Sequence, residues 1–395
     1  MASIPKIAII GAGPAGLALA RILSQHAIPS VIFESDPSPD HRTQGGSLDL
    51  HPETGQAALR TAGLYEQFAK YARGVGSGED LMTSDKDCSL KMDYRGVDTG
   101  RPEIDRTRLK KILLDSVPHG TIRWGWKLRA ATRDSLTGEI VLDFGSVQES
   151  GFNLVVGADG AWSKIRHLLT PVRPFYSGVG GLEFTLTDPD AKHPEIAKWV
   201  GNGSHGAFNN EDGGQVLLCQ RQENGDIRVY TWGVRLESWI EDNDINLEKA
   251  PQKAKEVVLK DYQDWAPQLR KVIESCSVET MAARNLYMLP VGLRWAVRKD
   301  VTLVGDAAHL MTPFAGEGVN AALTDAMDLA LAIVENRDDI GKAIQEYESK
   351  MFPRARTIMQ QTWDLKQTWF EPGCVDGLVQ ALSSELMKNK VSDTT

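Results

Sequence analysis

Gly11, Gly13 and Gly16 stand in the spacing Gly-x-Gly-x-x-Gly, with Pro14 and Ala15 between the last two glycines. An apolar run, Lys6 to Ile10, precedes them, and a helically spaced apolar series, Leu17 to Leu23, follows. Strand, glycine turn and helix in that order make a phosphate cradle. Gly11 permits the tight turn, Gly13 lets a pyrophosphate approach the backbone, and Gly16 lets helix pack close to strand, while amide N–H groups and the helix dipole face the anion. A second run rich in β-branched and aromatic residues, Pro29 to Phe33, ends at Glu34. A carboxylate there accepts hydrogen bonds from a ribose 2′-hydroxyl, which favours FAD or NAD over a 2′-phosphorylated nucleotide. The competing reading is a glycine turn that only packs a helix.

Three further segments carry polar residues among glycines: Gly45 to His51, preceded by Arg42; Gly157-Ala158-Asp159-Gly160 running on to Arg166; and Gly305-Asp306 running on to Asn320. In the last, a short apolar strand (Val301–Val304) delivers Asp306 to its carboxyl end, where a carboxylate can hold a ribityl hydroxyl. Gly316 and Gly318 let backbone approach a flat ring, and the helix starting near Gly318 points its positive end at that ring.

Together with the N-terminal glycines, these segments resemble the single-component, group A flavin monooxygenases. Within that group the chain is most similar to the tetracycline-inactivating flavin monooxygenases, through Gly46-x-Leu48-Asp49-Leu50-His51, Ile104-x-Arg106 and the run Gly305–Asn320. The resemblance covers nearly the whole chain. It implies non-covalent FAD, NADPH or NADH as a transient reductant, and O2. It implies hydroxylation of a polycyclic or phenolic, tetracycline-like substrate through a flavin C4a-hydroperoxide, with the flavin carrying the chemistry and no protein acid, base or nucleophile. The cofactor residues carried over are those of the glycine turn with Pro14 and Ala15, then Glu34, Arg42, Gly46, Asp49, Arg106, Leu128, Asp159, Asp306, Gly316, Gly318, Val319 and Asn320. Arg42 is the candidate for the nicotinamide cofactor's phosphates, against the alternative of a solvated charge. Asp159 competes with a purely structural turn, and His51 and His309 read as satisfied structural groups. By position, Glu183, His205, Gln220, Tyr230, Pro313, Phe314 and Gly316 would line the substrate pocket. Glu183 and His205 stand where those enzymes carry an amide and an arginine, which would change the pocket's charge.

The elements that must position these residues follow from the pattern. Helical spacing is expected over Thr54–Lys70, Thr107–Val117, Asn246–Tyr262, Gly316–Val334 and Asp339–Lys366, the last kinked or divided at Pro353, with a short final helix at Leu378–Met387. Between Ser177 and Gly233 short strands alternate with Gly, Asn and Asp pairs, as in an antiparallel sheet. The expected fold is α/β: a Rossmann-like FAD-binding domain (1–73, 101–170 and 285–338), an inserted antiparallel-sheet substrate domain (74–100 and 171–284), and a long C-terminal bridging helix within a brace over 339–388.

Composition limits the alternatives. Of 395 residues, 42% are hydrophobic and 25% charged, ordinary for a globular chain, and the net charge of −9 argues against a nucleic-acid partner. Four scattered cysteines with no Cys-x-x-Cys, and no His/Asp/Glu cluster at ligand spacing, give no reason to expect a metal. With no apolar span and no basic leader, a soluble cytoplasmic monomer is expected. A flavin reductase without oxygen insertion, and a binding protein on a flavoprotein fold, are the other function classes.

Overall fold

A computed structural model describes residues 5–41, 45–75 and 78–380 of the chain. Ile7–Ile10 is buried on both faces, as the central strand of a parallel sheet must be. It pairs in parallel with Leu154–Gly157 on one side and Ser30–Glu34 on the other, and the sheet runs outward to Val301–Leu303 and Ile122–Trp124. Strand order therefore reverses about the central strand. This is the crevice where open α/β sheets bind ligands at the carboxyl ends of their strands. Pro14–Gln25 and Gly318–Glu335 cover one face of this sheet with Ala and Leu side chains.

The second sheet has seven strands in the order Ser277–Met288, Phe175–Leu186, Ile227–Val234, Gln215–Arg221, Ser204–Phe208, Glu79–Asp85, Leu90–Val97. Residues 79–97 thus hydrogen-bond into the same sheet as the 175–288 strands, although residues 98–174 intervene. The Ser277–Met288 strand runs past residue 285, where the sequence pattern puts the domain boundary. Side chains alternate across the sheet. Leu182, Phe184, Cys219 and Val229 pack against Pro251–Asp261 and Pro267–Ser275, while Val216 and Trp232 face Phe314 and Phe370 on the cofactor side.

Ile340–Phe370 is one continuous helix through Pro353, so the expected division there does not occur; Asp339 caps it by accepting from Lys342 N. The helix expected over Thr54–Lys70 is broken instead, at Gly63 with φ +68, into Ala57–Thr61 and Tyr65–Tyr71. A further helix begins at residue 374, before the expected Leu378, and most of the expected Leu378–Met387 lies outside the described residues. Among the described residues no helix is long and apolar enough to cross a membrane, and no group of three or more His, Cys, Asp or Glu is placed to hold a metal ion.

Candidate active site

The four glycine-bearing segments meet at the carboxyl edge of the parallel sheet. Gly11 N donates to Phe33 O (2.9 Å), Ala158 N to Ile10 O (2.8 Å), and Val304 N to Gly157 O (2.9 Å), so adjacent strands hand the chain to adjacent loops. The three glycines of the first loop differ in what they face. A Cβ on Gly11 would lie 2.3 Å from Ala158 O, and one on Gly16 would lie 2.2 Å from Gly11 O. One on Gly13 would meet nothing within 4 Å. Packing thus demands two of the glycines. The third opens the N-terminus of Pro14–Gln25, a helix with no side-chain cap, to a phosphate. Glu34, buried at the next strand's end, accepts from Ala12 N (2.6 Å) and Asp36 N (2.9 Å), which fixes its carboxylate beside the turn. This donor set suits the adenosine diphosphate half of FAD.

Asp306 is solvent-exposed at the start of the short Asp306–His309 helix, just past the Val301–Leu303 strand. Desolvation pushes its carboxyl above the ordinary carboxylate range, against the opposing charges of His309 and Arg106. Arg106 opens the Arg106–Ser116 helix, its backbone N donates to Gly46 O (3.0 Å), and its guanidinium is exposed with no hydrogen bond to the described residues. The same guanidinium acts electrostatically on Tyr230 of the antiparallel sheet. Arg106 therefore stands between cofactor loops and substrate sheet.

Other carried-over residues serve the scaffold. Asn320 is fully buried: its Oδ1 accepts from His51 N (2.9 Å), and its Nδ2 donates to Asp49 O (3.0 Å) and Gly316 O (3.2 Å). Its side chain pins two loops together, leaving only its backbone for a ligand. Asp49 accepts from His51 Nε2 (2.9 Å), and a Cβ on Gly316, which has φ +68, would lie 3.0 Å from Asp49 Oδ1. Asp159 accepts from Ser163 Oγ (2.5 Å) and Lys164 N (2.7 Å), closing its own turn, and burial raises its carboxyl's pKa. Leu128 is buried in the core, Val319 packs against that core from a half-buried position, and a Cβ on Gly318 would be unobstructed. Arg42 lies outside the described residues.

On the antiparallel sheet, Glu183, Tyr230 and Gln220 share the cofactor-side face, since Glu183 pairs in register with Tyr230 and both alternate with the helix-side residues. Tyr230 Oη donates to Gln220 Oε1 (3.2 Å); burial, aided by the Glu183 charge, pushes the phenol up to about 12, so it stays a neutral donor. A Cβ on Gly46 would come within 2.7 Å of that phenol oxygen, so the Gly45–His51 loop lies against the sheet. Glu183 does not add a lone negative charge. Arg228 Nη2 donates to its Oε2 at 2.7 Å, and Arg284 Nε lies 3.7 Å away. The spacing of Arg228 two residues before Tyr230 was the available signal for this pairing, because period 2 puts both on one face. Gln222, equally unmarked in the sequence, accepts from Gly46 N through Oε1 (3.1 Å).

Two expectations need correction. His205 points to the opposite face, where it stacks on Trp199 (3.9 Å between centroids), donates from Nδ1 to Trp199 O (2.7 Å) and meets Ser84 Oγ. Burial lowers its pKa to about 4, and it is a neutral core group. Positional matching slipped by one residue, which in a strand reverses the face. Phe314 is buried among Trp232, Trp369 and Phe370, with centroids 5.1–5.5 Å away, and anchors its loop, leaving exposed Pro313 at the surface.

The FAD binding domain family matches residues 5–362. The chain belongs to that family. It is an FAD-dependent monooxygenase, and NAD(P)H is the reductant general to such enzymes. The chain is 32% identical to the monooxygenase asqM of Emericella nidulans, over 91% of this chain and 94% of the relative. It is 25% identical to the 3-amino-4-hydroxybenzoate 2-monooxygenase of Streptomyces cremeus, over 93% of this chain and 88% of the relative. In fold it resembles the tetracycline destructase Tet(51), with a TM-score of 0.73 at 16% identity, covering 99% of this chain and 98% of that one. The tetracycline resemblance is thus one of fold, while sequence similarity extends to fungal and bacterial monooxygenases of other kinds.

Proposed function

We propose that this FAD-dependent monooxygenase uses NAD(P)H and O2 to hydroxylate a fused-ring phenol or enol, with tetracyclines as poor stand-ins for its natural substrate. One observation carries this reading: the sheet face bearing Glu183, Gln220, Tyr230 and Arg228 abuts the Gly45–His51 loop, beside the loops that would hold the flavin. Bound FAD supplies hydride acceptance, O2 activation and electrophilic oxygen transfer. The chain's own residues bind and orient. The first-turn amides after Gly13 and the carboxylates of Glu34 and Asp306 would hold the cofactor, and Arg106 would sit at its boundary with the substrate.

The substrate side offers the amide nitrogen of Gln220 as donor, the Tyr230 oxygen as acceptor (its proton is held by Gln220 Oε1), and the Glu183–Arg228 pair. That pair cancels its own charge, so Arg106 sets the sign of the site, and an oxygenated ring system bearing a phenol or enol hydroxyl fits better than a cation. An electron-rich carbon next to a ring hydroxyl, with that hydroxyl donating to the Tyr230 oxygen, is what electrophilic oxygen transfer requires. Trp232 and Phe314 pack together beneath this face, so Phe314 supports the site from behind and does not line it.

Oxygen uptake with NADPH across a panel of phenols and tetracyclines, followed by mass spectrometry, tests the proposal. Uptake stimulated by fused-ring members, with a product one oxygen heavier, is expected. NADPH oxidation that yields only peroxide for every fused-ring compound, with full conversion of a monocyclic phenol, would overturn the fused-ring assignment.

A further inference from the structure

Behind the Gly305–Asp306 turn lies a cluster of four charges, buried at Asp325 and His309 and half-buried at Arg354 and Asp328. Asp325, fully buried on the Gly318–Glu335 helix, accepts through Oδ2 from Gly305 N (2.9 Å) and His309 Nε2 (2.6 Å). Its Oδ1 accepts from Arg354 Nη2 (2.8 Å), and Arg354 Nη1 reaches Asp328 Oδ2 (2.6 Å). His309 is itself only 2% exposed, and its Nδ1 has no partner among the described residues.

The charges balance only in one protonation state. Asp325 and Asp328 bring two negative charges and Arg354, shared between them, one positive, so a neutral imidazole would leave the cluster net negative beside the fully buried Asp325, which is costly. Burial alone favours the neutral ring. The Asp325 carboxylate in contact with it outweighs burial, and the imidazole titrates above its ordinary range. The resulting positive ring is felt by Asp306, three residues earlier on the same short helix, Asp306–His309.

We propose that His309 is a positioning residue: clamped by Asp325, its buried positive charge keeps Asp306 ionised and in place as an acceptor for the ribityl chain of FAD. This rests on the reading of Asp306 as an FAD contact. The groups facing the pair are Asp325 and Asp328 from the Gly318–Glu335 helix, Arg354 and Tyr347 from the Ile340–Phe370 helix, and Arg106 from the Arg106–Ser116 helix. Tyr347 is held neutral by burial, and the two arginines stay charged. An ionised Asp306 accepts from a hydroxyl and a protonated one does not serve as well. FAD affinity is therefore full above the Asp306 pKa and falls as pH drops through it. Removing the positive charge at His309 raises that pKa and moves the acid limb upward.

The experiment is FAD titration of the apoprotein by flavin fluorescence, from acid to neutral pH, for wild type, His309→Gln and Asp306→Ala. His309→Gln keeps a donor toward Asp325 and removes the charge. An acid limb moved up by about one pH unit is expected, with affinity at the alkaline end close to that of wild type. Equal weakening at every pH, or an unmoved limb, would overturn the proposal. If Asp306→Ala leaves FAD affinity unchanged, the underlying reading of Asp306 fails instead. Should His309→Gln not fold, ring-15N NMR of wild-type holoenzyme decides. At about pH 7.5, above the ordinary histidine range, at least one buried ring must remain doubly protonated, and a spectrum with every ring neutral overturns the proposal.

Discussion

At the scale of single residues, one carboxylate past a strand end, one misplaced histidine and one paired arginine give the sharpest expectations. With Asp306 as the proposed ribityl acceptor, Asp306→Ala removes a charge-assisted hydrogen bond of about 1.5–3 kcal/mol, a loss of roughly ten- to hundredfold in FAD affinity. Equilibrium dialysis of the folded variant measures it. His205→Ala has a different signature. It strips partners from Ser84 and from the Trp199 carbonyl in the core, so it destabilises the fold by about 1–3 kcal/mol while leaving substrate KM unchanged. Urea denaturation set beside steady-state kinetics separates the two effects, and a KM change without loss of stability would return His205 to the pocket. Arg228→Ala leaves Glu183 with only the distant Arg284, so a carboxylate is stranded beside Tyr230. A raised KM for neutral phenols is expected, with FAD content unchanged by absorbance.

At the scale of elements, the glycine turn divides into positions that serve packing and one that serves approach. Gly11→Ala drives a methyl to within 2.3 Å of a backbone carbonyl at a φ of +107, and about 1–3 kcal/mol or more of overpacking follows. Gly13→Ala is sterically free within the protein, with φ −77, so the apoprotein's melting temperature should be unchanged while FAD affinity falls by about tenfold or more, roughly 1.4 kcal/mol. A melting temperature lowered equally by both variants would show that Gly13 also serves packing. These elements were legible in the sequence because their cause is local: Ile7–Ile10, the Gly11–Gly16 turn and Glu34 are contiguous, and each residue type has one backbone or packing reason to be there. The seven-stranded sheet was legible as a texture only. Which face a side chain takes depends on register, and register is set by partners far along the chain, as when Glu79–Asp85 joins Ser204–Phe208. His205 was lost to that uncertainty, and so was Arg228. Asp325 carried no signal at all, because one acid in an apolar helix gains meaning only when Gly305, His309 and Arg354 fold around it.

At the scale of the whole molecule, the two sheets are tied at several places. Arg108 pairs with Glu223 (2.7 Å), Asp105 accepts from Glu223 N (3.0 Å), and Thr362 of the long helix donates to Thr312 O (2.8 Å) in the loop before Phe314. Because the Glu223 ties join the two sheets' loops and the Thr362 tie braces the cofactor loop, thermal unfolding should show one transition that FAD moves as a unit. Free FAD at a hundred times its Kd adds about 2.7 kcal/mol. Two transitions in calorimetry, with only one responding to FAD, would mean that the ties are too weak to couple the sheets.

The alternation of the large sheet also sets how new specificities can arise in this chain. Residue parity tells which face a position takes: odd numbers in 179–186 and even numbers in Gln215–Arg221 and Ile227–Val234 look toward the cofactor, and their neighbours look into the helix-covered core. A combinatorial library drawn only from Glu183, Gln220, Arg228 and Tyr230 samples new substrate shapes with the core untouched. The same number of changes one residue over, at Leu182, Cys219, Ile227 and Val229, spends its diversity on misfolding.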